Sequence, residues 1–257
     1  MSPLTSHPLN LMAGFMLVCG VAACTTMTVF QVKTPYGRYT RPGWGPLVPA
    51  RLAWILQEAP TPVIAIALLA QRNVSKLDPS SVAHILLVVH YIHRAFIYPL
   101  GIRNGKPTPV VVMALAFTFC SYNGFLQGTM LKELEGRVAW SPLTIAGLGV
   151  MLFGAYHNVL ADYTLRSLRR TSSSAQRYVA PPNVGLFTWV SGANFLGEIV
   201  EWSGYAMLCG GALPAVAFAA FTALNIGPRA VHHHADYCKK IDGYDALGRT
   251  AIIPFLL

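Results

Sequence analysis

Five stretches of this chain carry no Asp, Glu, Lys or Arg: residues 1–32, 107–131, 138–161, 178–197 and 202–228. Each reaches the ~20 residues that an apolar helix needs to span a bilayer. Inside hydrocarbon every backbone N–H and C=O must be satisfied within the protein, so only helices and closed barrels cross. Runs of this length leave the helix. Only 11% of residues are charged, against about 25% in soluble domains. Two further segments complete an all-α, multi-pass membrane protein of seven transmembrane helices, expected near 9–30, 50–71, 79–101, 108–131, 142–165, 186–208 and 211–229 in a single domain, 1–257. The first segment lacks a basic n-region and a clear cleavage site and reads as a retained helix.

The formal net charge of +9 is unevenly placed. With seven passes, fifteen of the nineteen Lys and Arg fall on one side, and Arg72, Lys76, Lys132 and Arg137 fall on the other. This asymmetry marks the cytosolic side and puts the N-terminus outside and the C-terminus in the cytosol. It explains the basic charge without nucleic acid. The cytosolic loops, 31–49, 102–107, 166–185 and 230–257, face the compartment that holds nucleotide cofactors.

Ionisable residues inside the apolar helices narrow the function. Glu58 is the only charged residue between Leu52 and Gln71. A carboxylate at that depth costs roughly 2.5–3.5 kcal/mol on insertion scales, and such groups face a bundle interior or cavity. Ser191, Asn194, Glu198, Glu201 and Tyr205 follow a helical period, predicting one polar face on the sixth helix. His84, Tyr91, Arg94 and Tyr98 repeat the pattern on the third, flanked by His90 and His93, and Arg94 offers a counter-charge for a Glu. On the fifth helix Asn158 and Asp162 precede Arg166 and Arg169, a set able to bind ribose, base and phosphate. His232, His233 and His234 point in different directions on a helix, and neither an HExxH pattern nor a Cys partner accompanies them, so no metal site is expected. Rossmann, Walker A and GxSxG motifs are absent.

The segments VPARLAWILQEAP (48–60), VHYIHRAFIYP (89–99), FCSYNGFLQG (119–128), NVLADYTLRSLRR (158–170), GLFTWVSGANFLGEIVEWSGYA (185–206) and RAVHHHADY (229–237) resemble, in order, the steroid 5-alpha-reductase family. The resemblance runs from about residue 34 to the C-terminus. It implies NADPH-dependent reduction of the Δ4 double bond of 3-oxo steroids. It implies that Glu58 and Tyr91, with Trp54 beside them, hold the substrate at its 3-oxo group. It assigns the cofactor to Tyr36, Arg94, Tyr98, Arg103, Asn158, Asp162, Arg166, Arg169, Tyr178, Asn194, Glu198, Glu201, His233 and Tyr237. Arg103, Asn104 and Lys106 compete for one of these roles, because the loop PLGIRNGKP departs from the family pattern. A monomer in the bacterial inner membrane or the endoplasmic reticulum follows, with membrane lipid and a steroid or related lipophilic enone as partners. Reduction of another lipid enone, sterol or polyprenol is the alternative. A transporter is a third reading, disfavoured because no internal repeat is visible.

The chemistry suits the residue types. Hydride attack on an enone β-carbon builds negative charge on the carbonyl oxygen, and a donor preorganised there stabilises the transition state. A Tyr hydroxyl donates directly. A carboxyl donates only when protonated, which apolar burial favours.

Overall fold

The computed structural model describes residues 4–73, 77–103, 105–171 and 179–257, the side chains of 169–171 excepted. The chain is mostly helical. α1 is His7–Thr28, α2 Ala50–Glu58, α3 Pro60–Leu69, α4 Pro79–Ile92, α5 the single turn Tyr98–Leu100, α6 Val110–Glu133, α7 Pro142–Thr171, α8 Ala193–Leu208 and α9 Leu213–Lys240. A two-residue antiparallel ladder, β1 Leu47–Val48 with β2 Thr108–Pro109, ties the loop before α2 to the start of α6.

Among the described residues, five helical segments are long and apolar enough to cross a membrane: His7–Thr28, Ala50–Leu69, Pro79–Leu100, Val110–Glu133 and Pro142–Leu168. The sixth and seventh expected spans take other forms. The segment expected to be helical from 186 begins as a 3-10 turn, Gly185–Thr188, and α8 starts only at Ala193. The reason lies in the backbone: Ser191 and Gly192 N–H groups donate to Thr250 and Ala251 carbonyls of the C-terminal segment, at 2.8 and 2.9 Å. Ser191 therefore precedes the helix and is not part of its polar face. α9 runs on to Lys240, past Pro228 and past the expected end at 229. Its continuation buries Ala230, His232, Asp236 and Tyr237, a helical spacing that packs one face.

Two spans are broken where the site lies. α2 gives way to α3 at Ala59, before Pro60 and Pro62, whose missing N–H groups cannot extend the ladder. The helix that begins with α4 passes through a π-helical turn, His93–Ile97, a feature frequent at functional sites.

α7 and α8 lie closest. They run antiparallel: a side chain added at Gly147, Gly154, Gly197 or Gly204 would meet, in turn, the backbone of Leu208, Glu201, Asn158 or Met151. Small residues let helices approach in a lipid setting, where packing rather than water exclusion drives association. Tyr91, Trp202, Tyr205 and Phe218 fill the core beside this seam. At the Arg72 end, the guanidinium is fully enclosed, reaching Ser80 Oγ at 2.6 Å, Ser81 Oγ at 3.2 Å, Asp78 at 3.8 Å and Glu135 at 3.5 Å. His84 joins that network, with Nδ1 3.3 Å from Arg72 and Nε2 2.9 Å from the Ala65 carbonyl. The polar stripe expected on the third helix thus divides: His84 is structural, and Tyr91, Arg94 and Tyr98 turn to the other end.

Candidate active site

A cavity of about 520 Å³ lies among α1, α2, α4, α6, α8 and α9. Val112, Leu115, Ala116, Phe119, Phe218 and Phe221 supply apolar wall; Glu58, Tyr91, Arg94 and Glu198 supply polar groups. It reaches Tyr36 and Arg229. Three segments distant in sequence, α2, the helix that begins with α4, and α8, thus bring the expected pair, Glu58 and Tyr91, together with Arg94 and Glu198, while a fourth brings Tyr36.

Glu58 is the last residue of α2, where the break at Ala59 turns the chain. Gln57 Nε2 donates to its Oε1 at 3.3 Å, and the Cys120 thiol lies 3.5 Å from its Oε2. Asn123 Nδ2 donates to the Tyr91 hydroxyl at 3.3 Å. Gln57, Cys120 and Asn123 escaped the reading of the sequence. Asn123 and Gln127, one turn apart in an apolar helix, were the available signal; Gln127 accepts from Tyr205 at 3.2 Å and donates to the Pro214 carbonyl at 3.0 Å.

Arg94 is the electrostatic centre. Its guanidinium reaches Asp162 of α7 at 3.0 Å and Glu198 of α8 at 3.5 Å. It also lies over the rings of Trp54 and Tyr98, at 5.0 and 5.2 Å from their centroids. Arg166 covers Tyr98 at 4.9 Å and donates to its carbonyl at 3.1 Å. Asn158 donates to the Asn194 carbonyl at 2.9 Å, locking α7 to the start of α8. Glu201, one turn beyond Glu198, faces elsewhere and meets His90 Nδ1 at 2.6 Å.

A second group gathers where α9 meets the 31–41 loop. Arg229 donates to the Tyr36 hydroxyl at 3.0 Å and Arg38 to the Tyr237 hydroxyl at 3.4 Å. His233 lies between Tyr39 and Phe195, with ring centroids at 5.8 and 5.4 Å. Burial, then Arg38 and Arg229, push His233 well below its ordinary range and hold it neutral. The Arg229 Nε is buried without a partner among the described residues. Two guanidiniums, an orphaned N–H and flanking aromatic rings suit a polyanionic ligand with a planar base, so these residues fit a dinucleotide. Arg103 is exposed and lines no part of the cavity. Tyr178, Asn104 and the side chain of Arg169 lie outside the described residues. His232, His233 and His234 diverge: His234 Nδ1 is 2.7 Å from Ser191 Oγ, well apart from the ring stack of His233.

Helices long and apolar enough to span a membrane, enclosing a cavity with polar groups along an apolar wall, define the class as that of a polytopic membrane protein with an internal cavity. Comparison with known proteins sharpens this. A family model described as 3-oxo-5-alpha-steroid 4-dehydrogenase matches residues 106–257. The 3-oxo-5-alpha-steroid 4-dehydrogenase 2 of Sus scrofa is 42% identical over 233 residues, 88% of this chain and 89% of the relative. The human protein of the same name is 42% identical over 213 residues, 81% and 82% of the two chains. Human 3-oxo-5-alpha-steroid 4-dehydrogenase 1 is 36% identical over 245 residues, 93% of each. The chain belongs to the 3-oxo-5-alpha-steroid 4-dehydrogenase family.

Proposed function

We propose that this protein is an NADPH-dependent steroid 5-alpha-reductase, saturating the Δ4 bond of 3-oxo-Δ4 steroids. One observation carries the reading beyond family membership: Glu58 and Tyr91 share a single, largely apolar cavity with Arg94 and Glu198. An enone lipid needs apolar wall and a hydrogen-bond donor at its carbonyl, and both are present.

Tyr91 donates to the 3-oxo oxygen, its hydroxyl held from behind by Asn123. Glu58, as a neutral carboxyl, gives the second donor to that oxygen, and Gln57 and Cys120 fix its orientation. Together they stabilise the negative charge that develops there, an effect worth about 2.7–4 kcal/mol for one such donor. Arg229, Arg38, His233 and Tyr237 hold the anionic and aromatic parts of NADPH, with Arg166 and Asp162 nearer its ribose. Asn194 and Glu198 hold its nicotinamide end. When bound, NADPH supplies the hydride that the β-carbon, C5, receives. The substrate enters from the bilayer, where apolar molecules partition, and the cofactor from the cytosol.

Seven passes with a cytosolic C-terminus complete the reading, from the charge distribution along the chain. The protein acts as a monomer in the bacterial inner membrane or the endoplasmic reticulum.

The test is direct. The detergent-purified protein is given NADPH deuterated at the transferable position and a panel of 3-oxo-Δ4 steroids, with products identified by mass and NMR. A saturated 3-oxo steroid with deuterium at C5 is expected. Absence of any reduced steroid across the panel would refute the function.

A further inference from the structure

Saturating an enone needs a proton at the α-carbon as well as a hydride at the β-carbon, and the assignment of Glu58 and Tyr91 to the carbonyl oxygen leaves that proton without a donor. His90 lines the same cavity. Its Nδ1 is 2.6 Å from Glu201 Oε1. Its Nε2 has no hydrogen-bond partner among the described residues. The ring is fixed edge-on to Trp202, centroids 4.6 Å apart, and sits beside Tyr91 at 5.2 Å. Glu201 is 1% exposed, and its Oε2 is buried without a partner among the described residues. A carboxylate so enclosed is strongly unfavourable unless a cation faces it. The group that faces it is His90.

We propose that His90, oriented by Glu201, is the acid that protonates the substrate α-carbon. This rests on the reductase reading above. Other titratable groups along the cavity have other roles: Glu58 and Tyr91 are assigned to the carbonyl oxygen, Glu198 pairs with Arg94, and Tyr36 accepts from Arg229. With Glu201 accepting from Nδ1–H, the protonated ring presents Nε2–H to the cavity. Tyr91 marks the carbonyl oxygen, and the α-carbon is the next carbon along from the carbonyl carbon. After hydride arrives at the β-carbon, the enolate electron pair takes the Nε2 proton. The α-carbon C–H bond forms as N–H breaks, the C=O is restored, and neutral imidazole regains a proton from solvent. The charged and titratable groups around His90 are Glu201 and Glu198 from α8, Glu58 across the cavity, and Tyr91, His93 and Arg94 from its own helix. Packed against it from α8 is also the neutral Trp202.

The experiment measures kcat and KM against pH for the wild type, His90→Gln and Glu201→Gln, using a 3-oxo-Δ4 steroid. A general acid works only while protonated, so wild-type kcat should fall as pH rises. His90→Gln should lower kcat by about 10²–10⁴-fold, remove that falling limb and leave KM nearly unchanged. Glu201→Gln, nearly isosteric, should move the limb to lower pH, because the carboxylate that stabilises the imidazolium is gone. A residue serving only to pack the fold would lower the melting temperature without moving the limb. His90→Gln with wild-type kcat, or Glu201→Gln with an unmoved limb, overturns the proposal while the reductase reading stands. If His90→Gln does not fold, the Glu201→Gln limb decides alone. No turnover by the wild type overturns both.

Discussion

The Asn123 amide donates to the Tyr91 hydroxyl at 3.3 Å, from α6 to α4. The hydroxyl therefore accepts from the protein and keeps its own hydrogen for the cavity. Tyr91→Phe should lower kcat with a 3-oxo-Δ4 steroid by about 10²–10³-fold, the scale of one lost oxyanion donor. NADPH affinity, measured by calorimetry without steroid, should hardly change, whereas Glu198→Ala should weaken it. The reverse pattern would exchange the two ends of the cavity.

Glu58 gives a paired test. Glu58→Gln retains a donor of the same size, and Glu58→Ala removes it. The Ala variant should add at least about 2.7 kcal/mol to the barrier, with the Gln variant retaining more of the turnover. Single-turnover reduction separates this from product release. Near-wild-type rates for both variants would leave Glu58 without a role in the chemistry.

Arg94 neutralises Asp162 and Glu198 together. Removing the cation leaves two enclosed carboxylates facing each other. Arg94→Met should cost about 3–5 kcal/mol of stability, and adding Asp162→Asn should restore part of it. Thermal and denaturant unfolding in one detergent compares the three proteins. Equal losses in the single and double variants would mean that Arg94 acts through its stacking on Trp54 and Tyr98 instead.

Acid should loosen the opposite end. Burial by itself would raise the Asp78 carboxyl, but hydrogen bonds from Ser81, Gly136 and Ser80 hold it below its ordinary value. A depressed carboxyl contributes stability above its unfolded pKa, about 3.9, and loses it as pH falls through the folded value. Asp78→Asn should therefore melt below the wild type at pH 7, and the gap should close as the buffer is taken below about pH 3.9. A gap independent of pH would point to geometry rather than charge.

Much of the site was legible because burying charge in apolar helices is costly enough to leave a trace. Glu58, Arg94, Asp162 and Glu198 each stood out as ionisable residues in apolar runs; the structure brings Glu58, Arg94 and Glu198 to the cavity and pairs Asp162 with Arg94 behind it. The membrane-helical class followed from the charge-free runs. Local backbone competition was harder to see. The polar period through Ser191 looked helical, but its N–H donates to the Thr250 carbonyl, fifty-nine residues on in the chain, a pairing no local pattern encodes. Likewise the expected seventh span stopped at 229, and tertiary burial of His232, Asp236 and Tyr237 carries the helix on to Lys240. Glu198 and Glu201 shared a stripe in the sequence and serve different partners: Glu198 meets Arg94 in the π-helical turn, and Glu201, one turn on, meets His90 on α4. The glycine seam left a signal that went unread: Gly147 and Gly154, and Gly197 and Gly204, each recur after seven residues.

That seam also sets where the protein has room to change. A methyl at Gly154 would press on Glu201, and one at Gly197 on Asn158, so neither α7 nor α8 can drift without disturbing both ends of the reaction centre. Val112, Leu115 and Ala116 border the cavity from α6, on the side away from that seam. Diversity of accepted lipids, in nature or in a selection experiment, should therefore accumulate on that wall while the glycine wall stays fixed. A fixed α7–α8 wall carrying Asp162, Glu198 and Glu201 thus stands opposite an apolar wall that is freer to vary.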